Sequence, residues 1–183
     1  MKMRSENIIT SRGLPKTSQV DVSQAGDDGT HQAGWWVGKT VATNKERFII
    51  CDVGADKVLI DRATNLMWAR DWQQAGGKNA DDDVGWNTAI AYCNNLDFAG
   101  FTDWRLPNYF ELASIVAFGG FSSYPLYEDY FINFTYSVDL WSSTIYWLDD
   151  SNVFACYMGS GGELIVRNKG SAVTGLIAVR GGL

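Results

Sequence analysis

The sequence predicts an α+β domain, and three observations carry that expectation. Short β-branched and aromatic runs come first, two helical patterns follow, and further strands close the chain, with no βαβ alternation and so no Rossmann expectation. Glycine outnumbers proline 19 to 3, which suits many tight turns between short strands rather than a helix bundle. At 183 residues and 46% hydrophobic content, the chain holds enough apolar material for one sizeable core.

Residues 1–34 are polar and rich in Gly, Ser, Thr and Asp, and read as an extended or flexible N-terminal arm. The compact domain is expected over residues 35–183. "ERFIICDV" and "KVLIDR" read as strands joined by a turn at "GAD", and "DRATN" turns the chain into a third strand, "NLMWAR". After a polar loop, "QQAGGKNADDDVG", residues 86–98 place Trp86, Ala89, Ile90, Cys93 and Leu96 on one helical face, with Gly100 as the helix stop. Asn108 followed by Glu111 has the spacing of a capping box. It opens a second helix, "NYFELASIVAFGG", with Leu112, Ile115 and Val116 inward. An aromatic loop, "FSSYPLYEDYFINFTYS", leads to four closing strands, "LWSST", "NVFACYM", "GELIVRN" and "GLIAVRG".

Charge and cysteine content exclude several classes. A net charge of −6 argues against a nucleic-acid groove and a polybasic membrane contact, since both need a basic surface. No run is long and apolar enough to span a bilayer, so no membrane insertion is expected. The opening residues lack the apolar core of a secretory signal, which favours a cytoplasmic or virion-associated protein. Cys51, Cys93 and Cys156 are far apart with no CxxC spacing. They read as buried free thiols of a reducing compartment, a single disulfide being the alternative.

Little points to catalysis. The only histidine, His31, lies in the polar arm, so a Ser-His-Asp or Cys-His arrangement has no well-placed base. There is no Walker A or GxGxxG run and no zinc-ligand spacing, so no cofactor or metal is expected. "GDDG" (26–29), "DDD" (81–83) and "LDD" (148–150) have hard-ion character but no EF-hand spacing, and read as solvated acidic loops.

Four segments together, "DRATNLMWAR", "AGFTDWRLPNYFEL", "LWSST" and "AVRGG", resemble the C-terminal domain family of collagen-like bacterial adhesins. That resemblance implies a C-type-lectin-like fold, related to the formylglycine-generating enzymes, with two helices flanking a small twisted antiparallel sheet. Under it Trp104 is core, Arg105 holds carbonyls or an acidic partner, and Pro107 fixes the entry to the second helix. Trp141, Ser142 and Ser143 read as a core strand rather than a serine nucleophile. The related enzymes use paired late cysteines, whereas here only Cys156 is late.

The expected function is therefore non-enzymatic recognition of a protein or glycan ligand by a C-terminal face. Its candidate residues are Tyr146, Trp147, Asp149, Asp150, Asn152, Phe154, Tyr157 and Asn168, aromatic faces beside short hydrogen-bonding side chains. Trp147, next to "LDD", is the one least suited to a core. The chain is also similar to the variable proteins of diversity-generating retroelements, as found in phages. On that likeness Trp147, Met158, Glu163 and Lys169 would be fixed scaffold, and the other candidates variable. The alternatives are a fixed carbohydrate-binding adhesin domain, a degenerate formylglycine-generating-enzyme-like oxidase, and a decoration protein without a specific ligand. A homo-oligomer is a further expectation, by family analogy alone.

Overall fold

A computed structural model describes residues 22–31, 47–73, 84–116, 130–133, 138–158, 163–171 and 175–181. A four-residue helical turn, α1 (Asp28–His31), precedes a hairpin of β1 (Phe48–Val53) and β2 (Asp56–Asp61). Then come β3 (Leu66–Ala69), α2 (Trp86–Asn94), α3 (Tyr109–Ser114), β4 (Asp139–Ile145), β5 (Asn152–Tyr157), β6 (Glu163–Asn168) and β7 (Val179–Gly181).

The α+β class is observed, with strands before and after the helices. Two antiparallel sheets replace the single one expected: β1-β2-β3-β7 and β4-β5-β6. Segment 175–181 joins them. Its start bridges β4, where Leu140 pairs with Gly175, and its end pairs β3, where Val179 faces Trp68. Side-chain alternation then divides the interior in two. Leu59, Trp68, Leu140, Cys156, Ile177 and Val179 face one cluster, which Leu112 of α3 and Ile115 at its C-cap cover. Val58, Ala69, Trp141, Val153, Ala155, Leu176 and Ala178 face the other, which Ala89 and Cys93 of α2 cover. The helices thus flank the strand layer from opposite sides.

Most strand expectations hold in place, with trimmed ends. The last is the exception: "GLIAVRG" yields a strand only at Val179–Gly181. α2 also stops at Asn94, short of residue 98, and Gly100 does not cap it. Instead Ala99 and Gly100 form a two-residue turn in which Phe98 and Phe101 exchange backbone hydrogen bonds of 3.1 and 3.0 Å. Both turn residues have positive φ, 54° and 75°. Gly100 takes this conformation freely, whereas Ala99 is held in it by its N–H, which donates to Asp56 at 2.8 Å. The arm lies mostly outside the described residues, as do the loop 74–83, including its "DDD", and the glycine stop at 119–120.

One polar pair is fully buried among the apolar residues. Arg47 donates from Nε and Nη2 to the two carboxylate oxygens of Asp61 at 2.8 and 2.7 Å, and Nη2 also reaches the Ser114 carbonyl at 2.8 Å. Asp61 further accepts from the Ala63 N–H and the Thr64 hydroxyl, which folds the "DRATN" turn around its carboxylate. The pair therefore ties β2 and its turn to the end of α3.

Removing one partner strands a buried charge. Asp61→Ala should lower the unfolding free energy by about 3–5 kcal/mol. Asp103→Ala, which breaks the more exposed pair with Arg180, should cost less than about 1 kcal/mol. Urea denaturation of the two variants checks the contrast, and equal losses would contradict it.

Candidate functional site

The "DWRLPNYFEL" run is a structural corner, and its chemistry is spent internally. Trp104 is buried at 2% exposure, and its indole N–H donates to the Phe98 carbonyl at 3.0 Å. Arg105 exchanges two 2.9 Å backbone hydrogen bonds with Val179, adding a partner on the free side of β7. Its guanidinium grips Glu111 through two bonds, 2.7 and 2.6 Å, and donates to the Gly181 carbonyl at 3.0 Å. The Glu111 hydrogen bonds are the main reason the Arg105 pKa is raised. Glu111 also closes the expected capping box: Asn108 accepts from the Glu111 N–H, and Glu111 accepts from the Asn108 N–H. Pro107 is buried, and its carbonyl accepts from the Ser143 N–H at 2.8 Å.

This corner sets down Tyr109 and Phe110 in the first turn of α3, beside the end of β5. There a group of rings gathers, half-buried at its centre and exposed at its rim. Phe154 is the hub, with ring centroids 4.5 Å from Tyr109, 5.4 Å from Tyr146 and 5.3 Å from Trp147. Tyr146 and Trp147 lie 5.2 Å apart, and Tyr109 and Phe110 lie 5.6 Å apart. Trp147 is 75% exposed, Leu148 71% and Phe110 79%. Val166 of β6 stands opposite Phe154 in register and is also exposed, so the apolar surface runs on to the next strand.

The candidate residues divide around this surface. Tyr146, Trp147 and Phe154 form its centre. Asn152 and Asn168 face each other across β5 and β6 on the same side as Phe154. Asn168 uses its side-chain oxygen to accept from the Gly170 N–H at 2.9 Å. Asp149 organises the β4–β5 turn: it accepts from the Ser151 N–H, the Ser151 hydroxyl and the Asn152 amide. Those bonds, Ser151 first, lower its pKa. Asp150 is exposed. Tyr157 does not join: it lies three residues after Phe154, and strand alternation turns it to the other face.

Tyr109, Phe110 and Val166 were not among the sequence candidates. Phe110 had a usable signal, because it falls off the inward stripe of Leu112, Ile115 and Val116. Tyr109 and Val166 had none, since their places depend on how α3 and β6 meet β5.

Several other chemistry-bearing groups among the described residues are occupied or buried. The Ser142 hydroxyl donates to the Phe154 carbonyl at 2.6 Å. All three cysteines are free, and burial pushes the Cys93 and Cys156 thiols up to about 12. Cys51 is half-exposed, against the expectation that it is buried. Asp27, in the "GDDG" run, accepts from the backbone of Ser23, Gln24 and Thr30, which holds its carboxyl at about 2. No group of three or more His, Cys, Asp or Glu residues suited to a metal ion occurs among the described residues. No helix among them is long and apolar enough to cross a membrane.

The fold and the site together define an α+β domain with an exposed aromatic surface at the tip of its second sheet. The family model for the Lcl C-terminal domain matches residues 57–180, and the chain belongs to that family of adhesin-like domains. No curated protein and no solved structure matches the chain.

The Asp149 turn gives a direct pH test. A carboxyl whose folded pKa is lowered contributes stability above its unfolded pKa and loses it as pH falls through the folded value. The side-chain carbon of Asp149 should therefore titrate below the ordinary 3.8 when followed by NMR. Ser151→Ala removes the hydroxyl donor and should move that midpoint upward. An Asp149 midpoint at or above 3.8 in the unmodified chain would contradict the turn as described.

Proposed function

We propose that this chain is a non-enzymatic recognition module with a C-type-lectin-like fold, which presents the surface around Phe154 to a protein or glycan partner. The observation that carries the reading is the ring cluster of Tyr109, Phe110, Tyr146, Trp147 and Phe154, half-buried at Tyr109, Tyr146 and Phe154 and exposed at Phe110 and Trp147. Soluble domains seldom leave several rings together in water without a use for them. Large, stiff rings also give contact area at low entropic cost. Helices on opposite faces of two joined antiparallel sheets support the lectin-like comparison. Burial of Cys156, a thiol that stays protonated at neutral pH, speaks against the oxidase alternative.

Diversification by a retroelement forms part of this reading for Tyr146, Asn152, Phe154 and Asn168, which share one side of the sheet tip. Sequencing the DNA that flanks the gene tests it. A near-copy of the segment coding for about residues 141–183, differing at adenines in those codons, is the expected result. With no such copy, a fixed adhesin domain is the reading that stands, and aromatic surfaces suit sugar rings as well as proteins.

The binding reading has its own test. Trp147→Ala and Phe110→Ala combined should shift stability by less than about 1 kcal/mol, because both side chains are largely in solvent. The same double variant should weaken ligand binding at least roughly thirtyfold, as loss of an aromatic anchor does. Glycan arrays and a panel of purified surface proteins, probed with the unmodified chain and the double variant, measure this. Undiminished binding by the double variant would remove this surface from the function.

A further inference from the structure

Within the recognition reading above, we infer that the ligand group taken up by this surface is cationic: a lysine or arginine side chain of a basic protein segment, held on the Trp147–Phe154–Tyr146 rings beside Asp149 and Asp150. The inference rests on the proposed binding role and adds the chemical class of the partner.

The argument is charge complementarity at an aromatic face. The rings around Phe154 stand 5.2–5.4 Å from one another and are tilted or edge-on, so the cluster presents ring faces as well as edges to its surroundings. A ring face carries the negative end of the aromatic quadrupole and attracts ammonium and guanidinium groups. Two carboxylates follow Trp147 in the same turn. Asp149 is held in its charged form by its Ser151 and Asn152 hydrogen bonds. Asp150 is exposed, and its carboxylate takes no hydrogen bond from the described residues, so it is available to a ligand. Two cations lie near this face in sequence: Arg167 of β6 is paired with Asp139 at 2.6 Å, and Lys169 acts electrostatically on Asp149 while its ammonium sits 4.8 Å from the Trp86 ring centroid. The chain already shows the same chemistry internally: the Arg180 guanidinium lies 3.7 Å from the Phe101 ring centroid while bonded through two nitrogens to Asp103. A polysulfated glycan would meet two carboxylates here on a protein of net charge −6. A neutral sugar would gain stacking and hydroxyl hydrogen bonds to the carboxylates, but no charge pairing with them.

Isothermal titration of the full chain separates the partners. Three probes are used: an Arg/Lys-rich peptide, heparin, and neutral oligosaccharides such as maltohexaose and chitohexaose. The expected result is saturable binding of the basic peptide, weakened by added salt. Trp147→Ala should reduce it roughly five- to thirtyfold, the span of a partly desolvated cation–π contact. Asp150→Asn should reduce it roughly two- to fivefold, as loss of an exposed ion pair does. Asp97→Asn, at an exposed position beyond α2, makes the same change in net charge and should leave the affinity unchanged. Peptide binding that is insensitive to Trp147→Ala, or equally sensitive to Asp97→Asn and Asp150→Asn, overturns the inference. Binding of heparin or a neutral oligosaccharide in preference to the peptide, lost in Trp147→Ala, also overturns it while leaving the recognition role intact. If none of the probes binds, the cationic assignment falls, and the arrays with the double variant decide the recognition role separately.

Discussion

The Arg105 guanidinium is the constraint on which the rest of the domain depends. Its backbone pairs with Val179, its side chain grips Glu111, and a third contact reaches the Gly181 carbonyl. One residue therefore fixes the last strand, the start of α3 and the approach of one to the other. The ion pair is half-shielded, so its two parallel hydrogen bonds count for geometry as much as for energy. Gly181 belongs to the same arrangement. It sits at φ 84°, and a Cβ there would come within 3.1 Å of the Asn65 carbonyl, so only glycine lets the strand end lie against the β2–β3 turn.

From that corner the location of the aromatic surface follows. Segment 175–181 welds the two sheets into one layer whose both faces need covers. α2 covers one face through Ala89 and Cys93, and α3 with its C-cap covers the other through Leu112 and Ile115. α3 reaches β5 with the ring of Tyr109 in its first turn. Phe154, on the α3 side of β5, is packed by that ring and by those of Tyr146 and Trp147. The outer rings, Trp147 and Phe110, are left in water. The proposed binding surface is the part of this face that the described residues leave exposed.

Charge is handled in two ways. Arg47 and Asp61 are wholly buried, and there water is replaced by the paired charge, the Ser114 carbonyl and the turn N–H and hydroxyl groups around Asp61. At the surface, Asp27 and Asp149 spend their carboxylates on short local turns. Asp139 lies between these cases: burial raises its pKa while its bond to Arg167 pulls the other way. None of these acids needs a metal ion to explain its position.

Much of the architecture was legible because it is local. The Asn108–Glu111 capping box, the inward stripe of Leu112, Ile115 and Val116, and the β1–β2 hairpin all rest on residues a few positions apart. Trp147 was recognisable as a surface residue from its acidic, turn-forming neighbours. The errors arose where local rules compete. Gly100 was assigned to a helix end, but Phe98 and Phe101 pair across a two-residue turn that puts it to other use. Tyr157 was grouped with Phe154 by proximity in sequence, although a strand turns residues three apart to opposite faces. By itself the sequence determined the order of strands and helices, the cap of α3, the acidic charge and the aromatic richness of the C-terminal half, since these depend on composition and short-range spacing. Only the tertiary structure decided that Tyr109, Phe110 and Val166 complete the surface around Phe154, that Arg105 joins Glu111 to Gly181, and that Arg47 meets Asp61. Those partners stand 6 to 76 residues apart along the chain, and what brings them together is the pairing of β1 with β2 and of β5 with β6, and the docking of α3 and segment 175–181 on the sheets.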